Sequence, residues 1–153
     1  MPLRLTVVIV LVLGSLQSLA QSPADVLSSD AYVRLPVPGQ KNAAAFMTLR
    51  NRAEKDRVLT SVSCSCAAKA ELHSHRNEGG VMKMRREASV KLPAAGSFEF
   101  APGGWHIMLL DFNRALRTGD AVDITLSFAN GDTLQVPAVT KSVFDSSDHQ
   151  HHH

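Results

Sequence analysis

The sequence predicts an all-β domain, an antiparallel sandwich or barrel, and three observations predict it. Apolar and polar residues alternate over short runs, most clearly where Val122, Ile124, Leu126 and Phe128 interleave with Asp123, Thr125 and Ser127. A period of two sends alternate side chains to opposite faces of a half-buried strand. Asn130-Gly131 then separates that run from Thr133-Leu134-Gln135-Val136. Asn-Gly between alternating runs signals a hairpin, because both residues tolerate positive φ. Finally, turn residues punctuate the chain at short intervals, and no segment carries a long 3.6-residue apolar period. Many short strands at that spacing make a sandwich or a barrel.

Taken in chain order, residues 1–20 read as a secretory signal. Arg4 supplies the positive start, residues 5–13 (LTVVIVLVL) the apolar core, and Ser18-Leu19-Ala20 the small residues of a cleavage site before Gln21. The apolar run is well short of the roughly 20 residues that span a bilayer. No cysteine sits at the cleavage point, so no lipid attachment is expected there. The mature protein is therefore expected in the periplasm, without membrane insertion. One domain follows over residues 21–144. Its strands are expected at 32–37, 44–49, 57–62, 69–75, 81–86, 98–100, 106–112, 122–128 and 133–136. The separators are Pro38-Gly39, Gly79-Gly80, Pro93 to Gly96, Pro102-Gly103-Gly104 and Gly119-Asp120. Residues 145–153 are polar and are expected to be disordered. Four of the seven histidines lie there: His149, His151, His152 and His153. They are either a native metal-catching tail or the remnant of an affinity tag.

Composition excludes several classes. At 153 residues the chain is one domain, long enough for a sizeable core. A net charge of +2 with no dense Lys/Arg run argues against a nucleic-acid binder. Two cysteines are too few for a disulfide-built scaffold. No glycine-rich phosphate loop stands between a strand and a helix. No Ser-His-Asp arrangement is readable either, because every histidine outside the tail falls in a cluster of another kind.

Those clusters carry the chemistry. Outside the tail the histidines are His73, His75 and His106; after the signal the methionines are Met47, Met82, Met84 and Met108. His73/His75, Met82/Met84 and His106/Met108 are each spaced by two. On a strand, residues i and i+2 share a face, so His106 and Met108 can both reach one ion. Thioethers are soft and neutral, poor ligands for zinc, magnesium or calcium. Mixed imidazole and thioether ligation suits Cu(I), or Ag(I) as its mimic. Any one of these residues taken alone is more often core filler or a hydrogen-bonded histidine. It is the joint pattern that points to a metal.

The spacing carries a resemblance. His73, ten residues, Met84, twenty-one residues, His106, one residue, Met108 is the complete ligand motif of the periplasmic copper chaperone family called PCuAC. The flanking Glu71-Leu72-His73, the run Pro102-Gly103-Gly104-Trp105-His106-Ile107-Met108-Leu109, and Ala43-Ala44-Ala45-Phe46 are similar to that family as well. The resemblance covers roughly residues 30–138. It implies a cupredoxin-like Greek-key β-sandwich binding one Cu(I) near its surface through His73, Met84, His106 and Met108. It also implies a monomeric, non-enzymatic carrier that supplies copper to cytochrome c oxidase, in particular its dinuclear copper centre in subunit II, directly or through an assembly factor. Some members carry a His/Met-rich extension for additional Cu(II). His149 and His151 to His153 would fit that role, although this tail has no methionine. His75 and Met82 are in phase with the motif ligands and are candidate auxiliary ligands, with partly exposed bystanders the commoner outcome. For Trp105, a core aromatic is expected ahead of a shield over the copper.

Cys64 and Cys66 have three readings. Buried free thiols come first, because in an extended strand the two sulfurs sit too far apart to bridge. A local disulfide in a turn follows, then a redox or copper-binding pair. An electron-transfer blue-copper site is a competing reading that the cysteine order argues against, since both cysteines precede every candidate histidine. The remaining alternatives are copper or silver sequestration at the same site, and a thiol oxidoreductase acting through the two cysteines.

Overall fold

The computed structural model describes residues 25–146. The expected signal, its cleavage point and the tail histidines lie outside them. Ten strands form: β1 (Val26–Arg34), β2 (Ala43–Asn51), β3 (Arg57–Cys64), β4 (Ala67–Glu78), β5 (Val81–Glu87), β6 (Val90–Leu92), β7 (Ser97–Phe100), β8 (His106–Phe112), β9 (Ala121–Phe128) and β10 (Thr133–Lys141). A short 3-10 turn at Val143–Ser146 follows.

The strands hydrogen-bond in the order β5-β4-β8-β2-β1-β10-β9-β3-β6, with β7 also on β2. One contiguous core takes side chains from both halves of this path. Ala45, Leu49, Ile107 and Leu109 come from one half, Leu59, Ile124, Leu126 and Val136 from the other. A single sheet can bury both halves in one core only by folding over on itself, which makes the sandwich. The fold class expected from the sequence is the one found, with one departure: β1 and β10 pair in parallel (Tyr32 with Val139). That pairing joins strands from opposite ends of the chain, and nothing local in the sequence encodes it.

β1 also begins six residues earlier than the alternation suggests, because a bulge interrupts its period. Val26 and Val33 are both buried although seven residues apart. The register against β2 slips between Ser29 and Tyr32, and Asp30 sits at φ +55°. The extra residue inverts which side chains face inward. It thereby sends Tyr32 to the outer face, opposite Phe46 of β2. Similarly, the β9–β10 loop takes positive φ at Gly131 alone, and not at Asn130 as well.

Asn51 ends β2 with its side chain fully buried. Its amide donates to the carbonyls of Lys55 (2.8 Å), Pro93 (3.0 Å) and Leu92 (3.3 Å), and its oxygen accepts from the Ala53 N–H at 3.1 Å. This one side chain ties two loops to the strand. Asn51→Ala removes these four hydrogen bonds, one buried and three part-buried, and is expected to cost roughly 1–3 kcal/mol in urea unfolding.

Candidate metal centre

Three neighbouring strands build the candidate site. In the β4–β8 ladder His73 stands opposite His106, and Glu71 opposite Met108. In the β4–β5 ladder His75 stands opposite Met84, Asn77 opposite Met82, and His73 opposite Arg86. Directly paired residues share a face. Their in-between neighbours Leu72, Ile107 and Leu109 are core residues. His73, His75, Met82, Met84, His106 and Met108 therefore all lie on the opposite, outer face of the sheet. The antiparallel register brings together what the sequence spreads over 36 residues.

His106 is the buried floor of this patch at 3% exposure, and Met84 its open rim at 47%. The His106 ring lies 5.7 Å from that of His73, 5.0 Å from that of His75 and 6.5 Å from that of Phe46, between centroids. The rim continues through Tyr32, whose ring is 5.2 Å from Phe46.

Hydrogen bonds set which ring nitrogen of His106 and of His73 is free. His106 Nδ1 lies 3.2 Å from the Gly104 carbonyl. A carbonyl only accepts, so Nδ1 carries the proton and Nε2 keeps its lone pair. The same carbonyl accepts the His75 backbone N–H at 3.2 Å. The Pro102-Gly103-Gly104 turn places it there, with Gly103 at φ +82°. His73 Nε2 lies 2.9 Å from Glu71 Oε2. Nε2 is therefore the donor, and the lone pair sits on Nδ1. The Nδ1 atoms of His73 and His75 are both buried without a hydrogen-bond partner. Two orphaned imidazole nitrogens on one patch are the features an incoming ion would satisfy.

Electrostatics keeps these donors available. Burial holds the His106 imidazole below the ordinary histidine range, and charge on His75 or His73 would push it the same way, while the Gly104 bond opposes. A neutral ring is the form that ligates. The hydrogen bond from His73 holds the Glu71 carboxyl below its ordinary range, helped by the charge of Arg86 and opposed by burial. The sequence marks Glu71 only as a residue flanking His73; in the structure it is the hydrogen-bond partner of that ring. Its signal was its place two residues before His73, on the same face of the strand.

Among the described residues no three His, Cys, Asp or Glu side chains are placed to hold a metal ion together. A site of three or more side-chain donors on this patch would have to draw on other groups, such as the thioethers. Met47, the methionine outside the pairs, is buried in the core at 2% exposure. Met82 lies one same-face step beyond Met84 and is 56% exposed. The Trp105 ring packs edge-on against Phe98 at 5.5 Å beside the core, the expected structural role.

The reading of Cys64 and Cys66 as buried free thiols is corrected. They form a disulfide. β3 ends at Cys64 and the chain turns at Ser65-Cys66, which draws the two Cα atoms to 5.1 Å. The objection from extended geometry does not apply in a turn. The bridge lies at the start of β4, about 20 Å along the strand from His73. A larger cleft of about 670 Å³ also lies away from the histidines, lined by Phe112, Arg114, Arg117 and Lys41 among others. Its described lining has no histidine, cysteine or carboxylate, so the donors and this cleft are separate places.

A family model described as "Putative lipoprotein LpqE-like" matches residues 26–140, the span from β1 through β10. The chain belongs to the LpqE-like family. A relative named "Putative lipoprotein Lxx21020", from Leifsonia xyli, is 31% identical over 150 residues, covering 91% of this chain and 89% of its own. Solved structures share the fold of this LpqE-like domain. The copper(I)-bound protein DR1885 of Deinococcus radiodurans superposes with a TM-score of 0.59 at 31% identity, over 80% of this chain and 81% of its own. The copper-bound PCuAC domain from PmoF2 gives 0.67 at 22% identity, over 80% and 97%. That second likeness speaks for the cupredoxin-like fold alone.

Proposed function

We propose that this LpqE-like protein is a copper carrier of the cell envelope that binds one Cu(I) through His73, Met84, His106 and Met108 and passes it to a copper enzyme under assembly. The observation that carries the reading is the placement of two imidazole lone pairs and two thioethers on one outer sheet face, with no carboxylate set to replace them. Neutral nitrogen and sulfur donors match a soft monovalent ion and not a hard divalent one. Copper is cargo here. A shallow face lets the donors of a receiving protein replace these one at a time, which a closed cavity would prevent. The copper(I)-bound state named for DR1885, 31% identical, supports the choice of ion.

The receiving protein proposed is cytochrome c oxidase, at its dinuclear copper centre, or a factor that assembles it. The protein is proposed to act as a monomer without catalytic turnover. The bridged, buried cysteines favour a structural link over thiol exchange. The envelope location rests on the lipoprotein names of the relatives and on the signal-like residues 1–20. In the disulfide form neither cysteine of this sequence is free to carry a lipid.

The test is Cu(I) stoichiometry and X-ray absorption on a variant with Cys64→Ser, Cys66→Ser and the four tail histidines changed to Asn. The disulfide closes so small a loop that its restraint on the unfolded chain is worth about 1–2 kcal/mol, so the variant should fold. One copper with both nitrogen and sulfur neighbours is the expected result, since only methionine can then supply sulfur. Nitrogen-only ligation, or no tight binding, would overturn the four-ligand site.

A further inference from the structure

We propose that His75 is a second, interchangeable imidazole ligand, so that the ion sits in either of two overlapping donor sets, His73 or His75 with His106 and the thioethers. The inference rests on the copper reading above. Three observations carry it. First, Met84 stands directly opposite His75, while His73 stands opposite Arg86. Directly paired side chains have Cβ atoms about 4.5–5.5 Å apart, whereas diagonal neighbours are about 7–8 Å apart. Second, the His75 ring is the nearer to His106, at 5.0 Å against 5.7 Å for His73. Third, His75 Nδ1 is buried and has no hydrogen-bond partner, as is His73 Nδ1.

The two histidines do not act together. No three His, Cys, Asp or Glu side chains among the described residues are placed to hold one ion together. His73 is tied back to Glu71 by a 2.9 Å hydrogen bond; His75 stands opposite Met84 of the edge strand, and no hydrogen bond holds its Nδ1. The ion therefore has two neighbouring positions that share His106 and Met84. Movement between them exchanges one neutral imidazole for another, so copper stays Cu(I) and no proton or electron is transferred. The position at His75 lies beside the exposed thioethers Met84 and Met82. It is the one from which a receiving protein collects the ion.

The experiment uses the whole mature chain. Cu(I) is diamagnetic, so long-range proton–nitrogen correlation spectra read each imidazole directly as one equivalent of Cu(I) is added without oxygen. Ring nitrogens of His73, His75 and His106 are all expected to shift. Competition with a chromophoric Cu(I) chelator should show less than tenfold loss of affinity for His73→Ala or His75→Asn. The double variant should lose at least a hundredfold, with backbone amide spectra confirming the fold of each. If His73 and His106 shift while His75 stays at its apo position, the proposal fails and the four-ligand site stands. Equal losses for His73→Ala and the double variant would have the same meaning. If none of the three shifts, both readings fall.

Discussion

His106→Ala is expected to lower Cu(I) affinity roughly a hundredfold, about 2.7 kcal/mol. This ring is the floor of the patch and faces both other histidines. Either proposed donor set needs it, and no neighbouring imidazole can replace it. Its Nε2 is also the one lone pair whose tautomer is fixed by a backbone carbonyl. Losing it removes a donor that no rotation of another side chain restores. Met84→Leu keeps volume and apolarity but removes the sulfur, so it isolates ligation from packing. Competition with a chromophoric Cu(I) chelator measures both variants. Wild-type affinity in His106→Ala would remove the patch from consideration as a copper site.

Ile107→Ala should do the reverse. Ile107 is fully buried on the core face of β8, between two proposed ligands. Truncating it leaves a cavity and should cost roughly 2–5 kcal/mol in urea unfolding. Because its side chain points away from the patch, the fraction that remains folded should keep Cu(I) affinity within about threefold, less than 1 kcal/mol. A folded Ile107→Ala protein that binds as poorly as His106→Ala would mean that the two faces of β8 are not independent.

The ease with which each element is read from sequence follows its physics. β8 was readable to its ends, because Gly103-Gly104 opens it and the short apolar run Ile107 to Leu110 fills its centre. β9 was readable because apolar alternation runs through it. β1 was not: its bulge inverts the alternation midway, so Val26 and Val33 fall out of phase. β6 is three residues long, below the length at which a period can be recognised. The site divides in the same way. Spacing by two places His106 with Met108, and His73 with His75, from sequence alone. Which strands lie side by side is a tertiary fact. The pairing of His75 with Met84, and the tether from Glu71 to His73, depend on register that no local pattern specifies. The disulfide was misjudged because its geometry turns on whether Cys66 continues the strand or leaves it.

The proposed donors also differ in how firmly their strands are held. β8, carrying His106 and Met108, lies between β4 and β2. β5, carrying Met84, is the last strand of the path and pairs with β4 alone among the described strands. An edge strand with six of its seven residues exposed opens at far lower free energy than the core behind it. The ion thus has one fixed shore and one that breathes. Hydrogen exchange in β5 should be fast in the apo protein and slow once copper clips it to β8, and dissociation of the metal should be timed by the fraying of that single hairpin arm.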